Sequence, residues 1–273
     1  MSLLWRERWH VALSPTRVDV VRATGFIRRT VTSTELIPCS PAAQGEPWRA
    51  AVLALENAFT GCETHRAECE VVLSNHFVRY TLVPWESGIS DEGEIETYAR
   101  LRFNETYGAE AVAKWEVRVG LPAYGAPRLA CAVDRDLMEA LRRLSAAQQV
   151  RLAGVRPLLV ACFDRCRRRF CGPRFWFATA EEGRLCLAGI DRYAWRTLTC
   201  QRIGKNLEDA LKAAFERESL VMPAVTGDAL YLFARDLPAE QPIDIPGMKV
   251  CKLAPPLLPV AGVQELAVAR VFL

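Results

Sequence analysis

The sequence predicts an α/β protein built as two related lobes, each a mixed sheet packed by helices. Three observations predict it. Strand-like segments come in threes, then a helical period, then a strand again, and this β-β-β-α-β order occurs twice. Gly172-Pro173 punctuates the chain between the two occurrences, so the expected lobes are 1–172 and 173–273. The 273 residues are 51% hydrophobic and 25% charged, enough apolar material for two coupled lobes of ordinary size.

The first strands fall at 9–13 and 17–22, joined by Ser14-Pro15-Thr16; Val18 and Val20 alternate with Arg17 and Asp19. A third strand is expected over 27–37, ended by Pro38 and Pro41. Trp48, Ala51, Val52, Leu55 and Phe59 then form one helical stripe, with Pro47 where a first turn tolerates it. Strands follow at 70–74 and 77–83, and Ser90-Asp91-Glu92 caps a helix running to about Tyr107. Further strands are expected at 114–119 and 128–133. Leu137, Met138, Leu141 and Leu144 mark a helix over 134–149. A strand over 150–155 leads through Pro157 into a helix ending near Phe170.

The second occurrence opens with strands at 174–179 and 184–190 around the turn Ala180-Glu181-Glu182-Gly183, and a third at 193–203. Asn206 caps a helix carrying Leu207, Ala210, Leu211, Ala214 and Phe215. Later strands are expected at 231–233 and 249–253. The end of the chain, with Pro255, Pro256 and Pro259 ahead of a mostly apolar stretch to Leu273, is expected to complete the second lobe; docking on a partner or a membrane surface is the alternative.

Composition excludes several classes. Thirty-five basic against 32 acidic residues give a net charge of +3, too balanced for a nucleic-acid binder. The dense run Arg165-Cys166-Arg167-Arg168-Arg169 falls at a helix end, where cations oppose the macrodipole; an acidic partner is its other use. No stretch approaches the ~20 apolar residues that span a bilayer. Charges at Arg6, Glu7 and Arg8 interrupt the start where a signal peptide would be apolar, so a cytosolic location is expected. Ten cysteines, scattered singly with no Cys-x-x-Cys pair, then read in a reducing compartment as small buried hydrophobes.

No constellation carries catalysis. Cys62, His65 and Cys69 have the form Cys-x2-His-x3-Cys, but structural zinc needs a fourth ligand, and the nearest, His76, sits by a strand; separate core and loop residues are the better reading. Cys162 and Cys166 lie on an apolar helix face with Leu158, Leu159 and Phe163, which reads as core. His10 falls on the first strand, Ser14 and Ser74 have no evident base, and no Gly-x-Ser-x-Gly, Walker or Gly-x-Gly-x-x-Gly pattern occurs. An RNase-H-like nuclease would want a carboxylate on the first strand where Ala12 stands.

The duplicated order is that of the actin-like, ribonuclease-H-like fold. The stretch from Val71-Val72-Leu73-Ser74-Asn75-His76-Phe77 through Pro84-Trp85 resembles the PilM-type proteins of type IV pilus assembly, including the MshI branch, and the cytoplasmic part of type II secretion L proteins. A second stretch, from Leu129 through Asp134 to Val155-Arg156-Pro157, is similar to the same family's approach to its inter-lobe connection. The resemblance implies a cytoplasmic scaffold, peripheral at the inner membrane, that binds the tail of a PilN-type membrane protein and communicates with a pilus or secretion ATPase. It also implies a nucleotide in the cleft of some PilM-type members, but generally none in the secretion L proteins.

The residues address that last point. An actin-like site needs a tight Gly-containing hairpin in each lobe, usually after an Asp that holds Mg²⁺ or its water. Here the first turn offers Ala12, Ser14 and Pro15, and Pro15 has no N–H to donate. The second offers Glu181, Glu182 and Gly183; like charges at ~4 Å repel by about 4 kcal/mol at an effective dielectric near 20. No Gly-Gly occurs to hold an adenosine. The expectation is a non-catalytic protein-binding scaffold with no cofactor and no metal, with Leu82, Pro84 and Trp85 as candidate partner-groove residues. The alternative is an actin-like ATPase or kinase with unconventional phosphate loops.

Overall fold

The computed structural model describes residues 7–25, 30–40, 45–60, 67–89, 91–120, 125–235 and 242–253. Strands β1 (Arg8–Leu13), β2 (Arg17–Thr24) and β3 (Thr30–Pro38) form a meander, followed by helix α1 (Arg49–Phe59) and strand β4 (Glu68–Leu73). Next come β5 (Val78–Val83), α2 (Glu92–Tyr107), α3 (Ala109–Val112), β6 (Trp115–Val119), β7 (Arg128–Asp134), α4 (Arg135–Ala147) and β8 (Arg151–Pro157). Helix α5 (Leu158–Cys166) connects to β9 (Arg174–Glu181), β10 (Arg184–Asp191) and β11 (Ala194–Arg202), then α6 (Leu207–Glu218), β12 (Ala229–Ala234) and β13 (Lys249–Lys252).

The duplication is visible in the sheets. One is ordered β3-β2-β1-β4-β8 and the other β11-β10-β9-β12-β13. In each, the first three strands are antiparallel neighbours and the last two run parallel to the first. The order is therefore the same in both. A third sheet, β5-β7-β6, interrupts the first repeat between β4 and β8. The sequence pattern does not separate these three strands from the others. Phe103 of α2 and Val117 of β6 are fully buried there, under a small core of their own with Val112 of α3.

Local chemistry sets the helix bounds. Asp91 accepts hydrogen bonds from the Gly93 and Glu94 N–H groups at 2.9 and 3.3 Å, and Gly108, at φ +82°, ends α2. Asn206 caps α6 through the N–H groups of Glu208 and Asp209. The predicted stripe of α1 faces inward, with Ala51, Leu55 and Phe59 buried and Phe59 edge-on to Trp9 at 4.8 Å. Trimming such a ring to Ala costs about 3–5 kcal/mol.

The main core is continuous from Trp9, Val11 and Leu55 to Phe175, Phe177 and Tyr231, so both large sheets share it. Phe163 of α5 and Phe170 stand among Phe175, Phe177, Tyr231 and Trp195 with ring centroids 4.6 to 6.4 Å apart, a packed aromatic hinge between the sheets. Among the described residues no helix is long and apolar enough to cross a membrane.

One expectation is corrected. Cys186 and Cys200 are not unpaired: the antiparallel register of β10 and β11 sets them face to face, Cα atoms 4.1 Å apart, and they are joined in a disulfide. Cys69, Cys131, Cys162 and Cys166 are buried free thiols. The apolar end of the chain, Cys62 and His65 lie outside the described residues.

Candidate functional site

The equal strand orders bring the β1–β2 turn and the β9–β10 turn to equivalent ends of the two sheets. The first turn bonds within its own sheet, its Thr16 carbonyl accepting the Cys39 N–H at 2.7 Å. The Ser14 hydroxyl donates to the Arg17 carbonyl at 2.8 Å, the Ser14 N–H donates to the same oxygen at 3.0 Å, and the Arg17 N–H donates to Ser14 Oγ at 3.3 Å. Ser14 and Ala12 are buried and Pro15 is half-buried. Ala12 lies between Asp19 of β2 and Val72 of β4 in register.

The second turn reaches across the junction. Gly183 takes φ +73°, which lets Arg184 pair back with Glu181. Glu181 is buried, and its Oε2 accepts the Asn75 N–H at 2.8 Å. The Glu182 carbonyl oxygen lies 2.9 Å from His76 Nε2, while the Glu182 carboxylate is exposed.

Asn75, in the turn after β4, is the node. It is fully buried, its Nδ2 donates to Thr179 Oγ1 of β9 at 3.0 Å, and its Oδ1 accepts from Tyr80 Oη at 2.6 Å and from the Leu159 N–H at 3.3 Å. Leu159 is in the first turn of α5, so one side chain ties together β4, β5, β9 and the connecting helix. Burial pushes the Tyr80 hydroxyl well above its ordinary pKa, so it stays a neutral donor.

A charged latch completes the junction. Arg235, just after β12, hydrogen-bonds Asp19 Oδ2 of β2, and its other terminal nitrogen stands 4.0 Å from Glu181 Oε1. Arg17 approaches Asp19 Oδ1 at 3.2 Å. Asp19 and Glu181 are both only 6% exposed, so Arg235 neutralises two carboxylates that water scarcely reaches. Two cations and two anions, drawn from both sheets, thus sit between the turns. What the arrangement does chemically is bind itself: Glu181, Asn75 and Arg235 are mutually engaged.

The sequence singled out Ala12, Ser14, Pro15, Glu181, Glu182 and Gly183, and the structure gathers the last three with Asn75, His76 and Arg235. Ala12 stays within β1, and Ser14 and Pro15 in the β1–β2 turn. Sequence reasoning missed Asn75, Asp19 and Arg235. Their one signal was position: an Asn at the end of a buried strand, and charged residues amid apolar strand runs.

Leu82, Pro84 and Trp85 lie at the far end of β5, an edge strand of the three-stranded sheet with β11 alongside. Leu82 is half-buried against the main core, Pro84 exposed and Trp85 half-buried. Cys69 is fully buried, and burial pushes its thiol up to about 12, which disfavours the thiolate a metal would need. His10 packs beside Glu70, its Nδ1 3.3 Å from Oε2. Among the described residues no three His, Cys, Asp or Glu gather as a metal would require.

Comparison with protein-family profiles and with curated proteins gives no match. Solved structures do match, and they define an actin-like fold. The cytoplasmic domain of EpsL, an inner-membrane component of the type II secretion system of Vibrio cholerae, aligns over 90% of this chain and 85% of its own, with 12% identity and a TM-score of 0.55. The PilM–PilN type IV pilus biogenesis complex aligns over 84% of this chain and 81% of its own, with 12% identity and a TM-score of 0.56. A Bacteroides thetaiotaomicron protein of actin-like ATPase fold and unknown function aligns over 86% and 84%, with 8% identity and a TM-score of 0.58. The chain has the actin-like fold that the duplicated strand order implied, and shares it with PilM and the cytoplasmic domain of EpsL.

Proposed function

We propose that this protein is a non-catalytic scaffold of a type IV pilus or type II secretion assembly platform, acting by protein binding at the cytoplasmic face of the inner membrane. In this reading the lobes are 1–172 and 173–273, and the partner is the tail of a PilN-type membrane protein, with the assembly ATPase as a second contact. One observation carries it. At the junction of the two sheets, beside the turns where an actin-like site would want phosphate loops, Glu181 is pinned to Asn75 and Arg235 to Asp19. A triphosphate would have to displace buried pairs and sit beside two carboxylates, whereas a bound peptide needs neither change. Likeness to a PilM–PilN complex supports the choice of partner class.

Leu82, Pro84 and Trp85, at the end of β5, are the groove residues of this proposal, offering apolar side chains to an extended peptide. The test is calorimetric titration with the N-terminal peptide of the host's PilN-type protein. Saturable binding that Trp85→Ala and Leu82→Asp weaken by about tenfold or more supports the reading. No heat, and no shared peak on gel filtration, contradicts it.

A further inference from the structure

Beside the latch, three guanidinium groups converge with no carboxylate to meet them. Arg184 and Arg202 are direct cross-strand partners at the ends of β10 and β11. Arg184 Nε donates to the Asn75 carbonyl at 3.3 Å, and Arg79 of β5 donates from one terminal nitrogen to the next carbonyl, His76, at 3.1 Å and to Val78 at 3.2 Å. Arg79 and Arg184 therefore grip consecutive peptide groups of one turn. Like charges directly opposed across a sheet destabilise it unless an anion intervenes. Yet among the described residues none of the three makes an ion pair: the buried Glu181 is turned inward to Asn75 and Arg235, and the exposed Glu182, although nearer to Arg184 in the chain, pairs with none of them.

We propose that Arg79, Arg184 and Arg202 form a binding site for the carboxylates of an acidic peptide segment carried by the partner protein. The choice of a peptide over a small anion rests on the protein-binding reading above. Arg79 and Arg184 are half-buried and Arg202 exposed, so the cluster opens outward from the junction. Three planar forks suit carboxylates spaced along a strand. Burial, followed by the Arg79 charge and with Arg202 adding to it, holds the Arg184 guanidinium below its ordinary pKa, with Tyr107 and Glu181 offsetting only part of that. Tyr107, at the C-terminal end of α2, adds a polar group at the rim.

The test uses the full chain and two probes, hexaglutamate and inorganic pyrophosphate, titrated at low salt. Hexaglutamate binding that weakens about tenfold in Arg202→Gln, further in Arg184→Gln, and steeply with added salt supports the site. Arg202→Gln removes no hydrogen bond among the described residues, so a folding defect in Arg184→Gln leaves the test intact. Equal binding by the native and substituted proteins, no binding at all, or pyrophosphate bound in preference to hexaglutamate overturns it. Hexaglutamate carries no apolar side chain, so its failure leaves the Leu82–Trp85 groove standing. Failure of the PilN-type peptide with hexaglutamate bound refutes the groove alone.

Discussion

The β1–β2 and β9–β10 turns occupy equivalent corners of two sheets with one strand order, yet they spend their polar groups differently. The first spends its bonds on its own sheet, Ser14 on Arg17, Thr16 on Cys39 and Arg17 on Asp19. The second is committed outward, Glu181 to Asn75 and, with Asp19, to Arg235. The difference teaches where this molecule stores its rigidity. A turn bonded to its own sheet holds only that sheet's strands, whereas bonds from Glu181 constrain one sheet against the other. Under the proposed reading, such a junction would hold fixed the surfaces that a partner meets.

The comparison breaks first, if it breaks, at the latch. Arg235→Met leaves the buried Glu181 without its cation and Asp19 with Arg17 alone, and should lower stability by about 3–5 kcal/mol in denaturant unfolding. A loss under 1 kcal/mol would mean water reaches these carboxylates. Neutralising them in the same protein, Asp19→Asn with Glu181→Gln, should restore part of the loss. Asn75→Ala comes next. It strands the Tyr80 hydroxyl, Thr179 Oγ1 and the Leu159 N–H, for a loss of about 3 kcal/mol by the same measurement.

These residues also mark the limit of what the sequence tells. Strands β1 and β2 were legible from Val18, Asp19 and Val20 alternating, and α1 and α4 from their apolar stripes, because those signals are local. The repeated β-β-β-α-β layout followed from them. Separation of β5, β6 and β7 into their own sheet did not, since their patterns resemble those of any half-buried strand. The junction was less legible still. Asn75 and Glu181 are 106 residues apart, and Asp19 and Arg235 are 216. No periodicity links such pairs; only the closed fold does. The same holds for Cys186 and Cys200, which needed the β10–β11 register to meet.

Acid should sharpen the contrast at another point of the first sheet. A hydrogen bond from His10, opposed by burial and helped by the charges of Arg156 and Arg8, holds Glu70 below the ordinary glutamate pKa. A depressed folded value means stabilisation present above the unfolded pKa of about 4.3 and lost as pH falls from there through the lower folded value. Glu70→Gln should therefore flatten the melting-temperature profile between about pH 5 and 3; an unchanged slope would remove Glu70 from the account. The smallest effect belongs to the β1–β2 turn. Ser14→Ala should cost only about 1 kcal/mol, and a loss matching that of Asn75→Ala would erase the distinction between the turns.

The most direct measurement is the thermal unfolding of the native protein with and without millimolar Mg-ATP. A ligand at 100 times its dissociation constant adds about 2.7 kcal/mol of stability, which a melting curve resolves easily. With Arg235 and Asn75 holding the junction shut, the two curves should coincide. A clear rise in melting temperature that Arg235→Met or Glu181→Gln alters would put a nucleotide between the sheets and contradict the account.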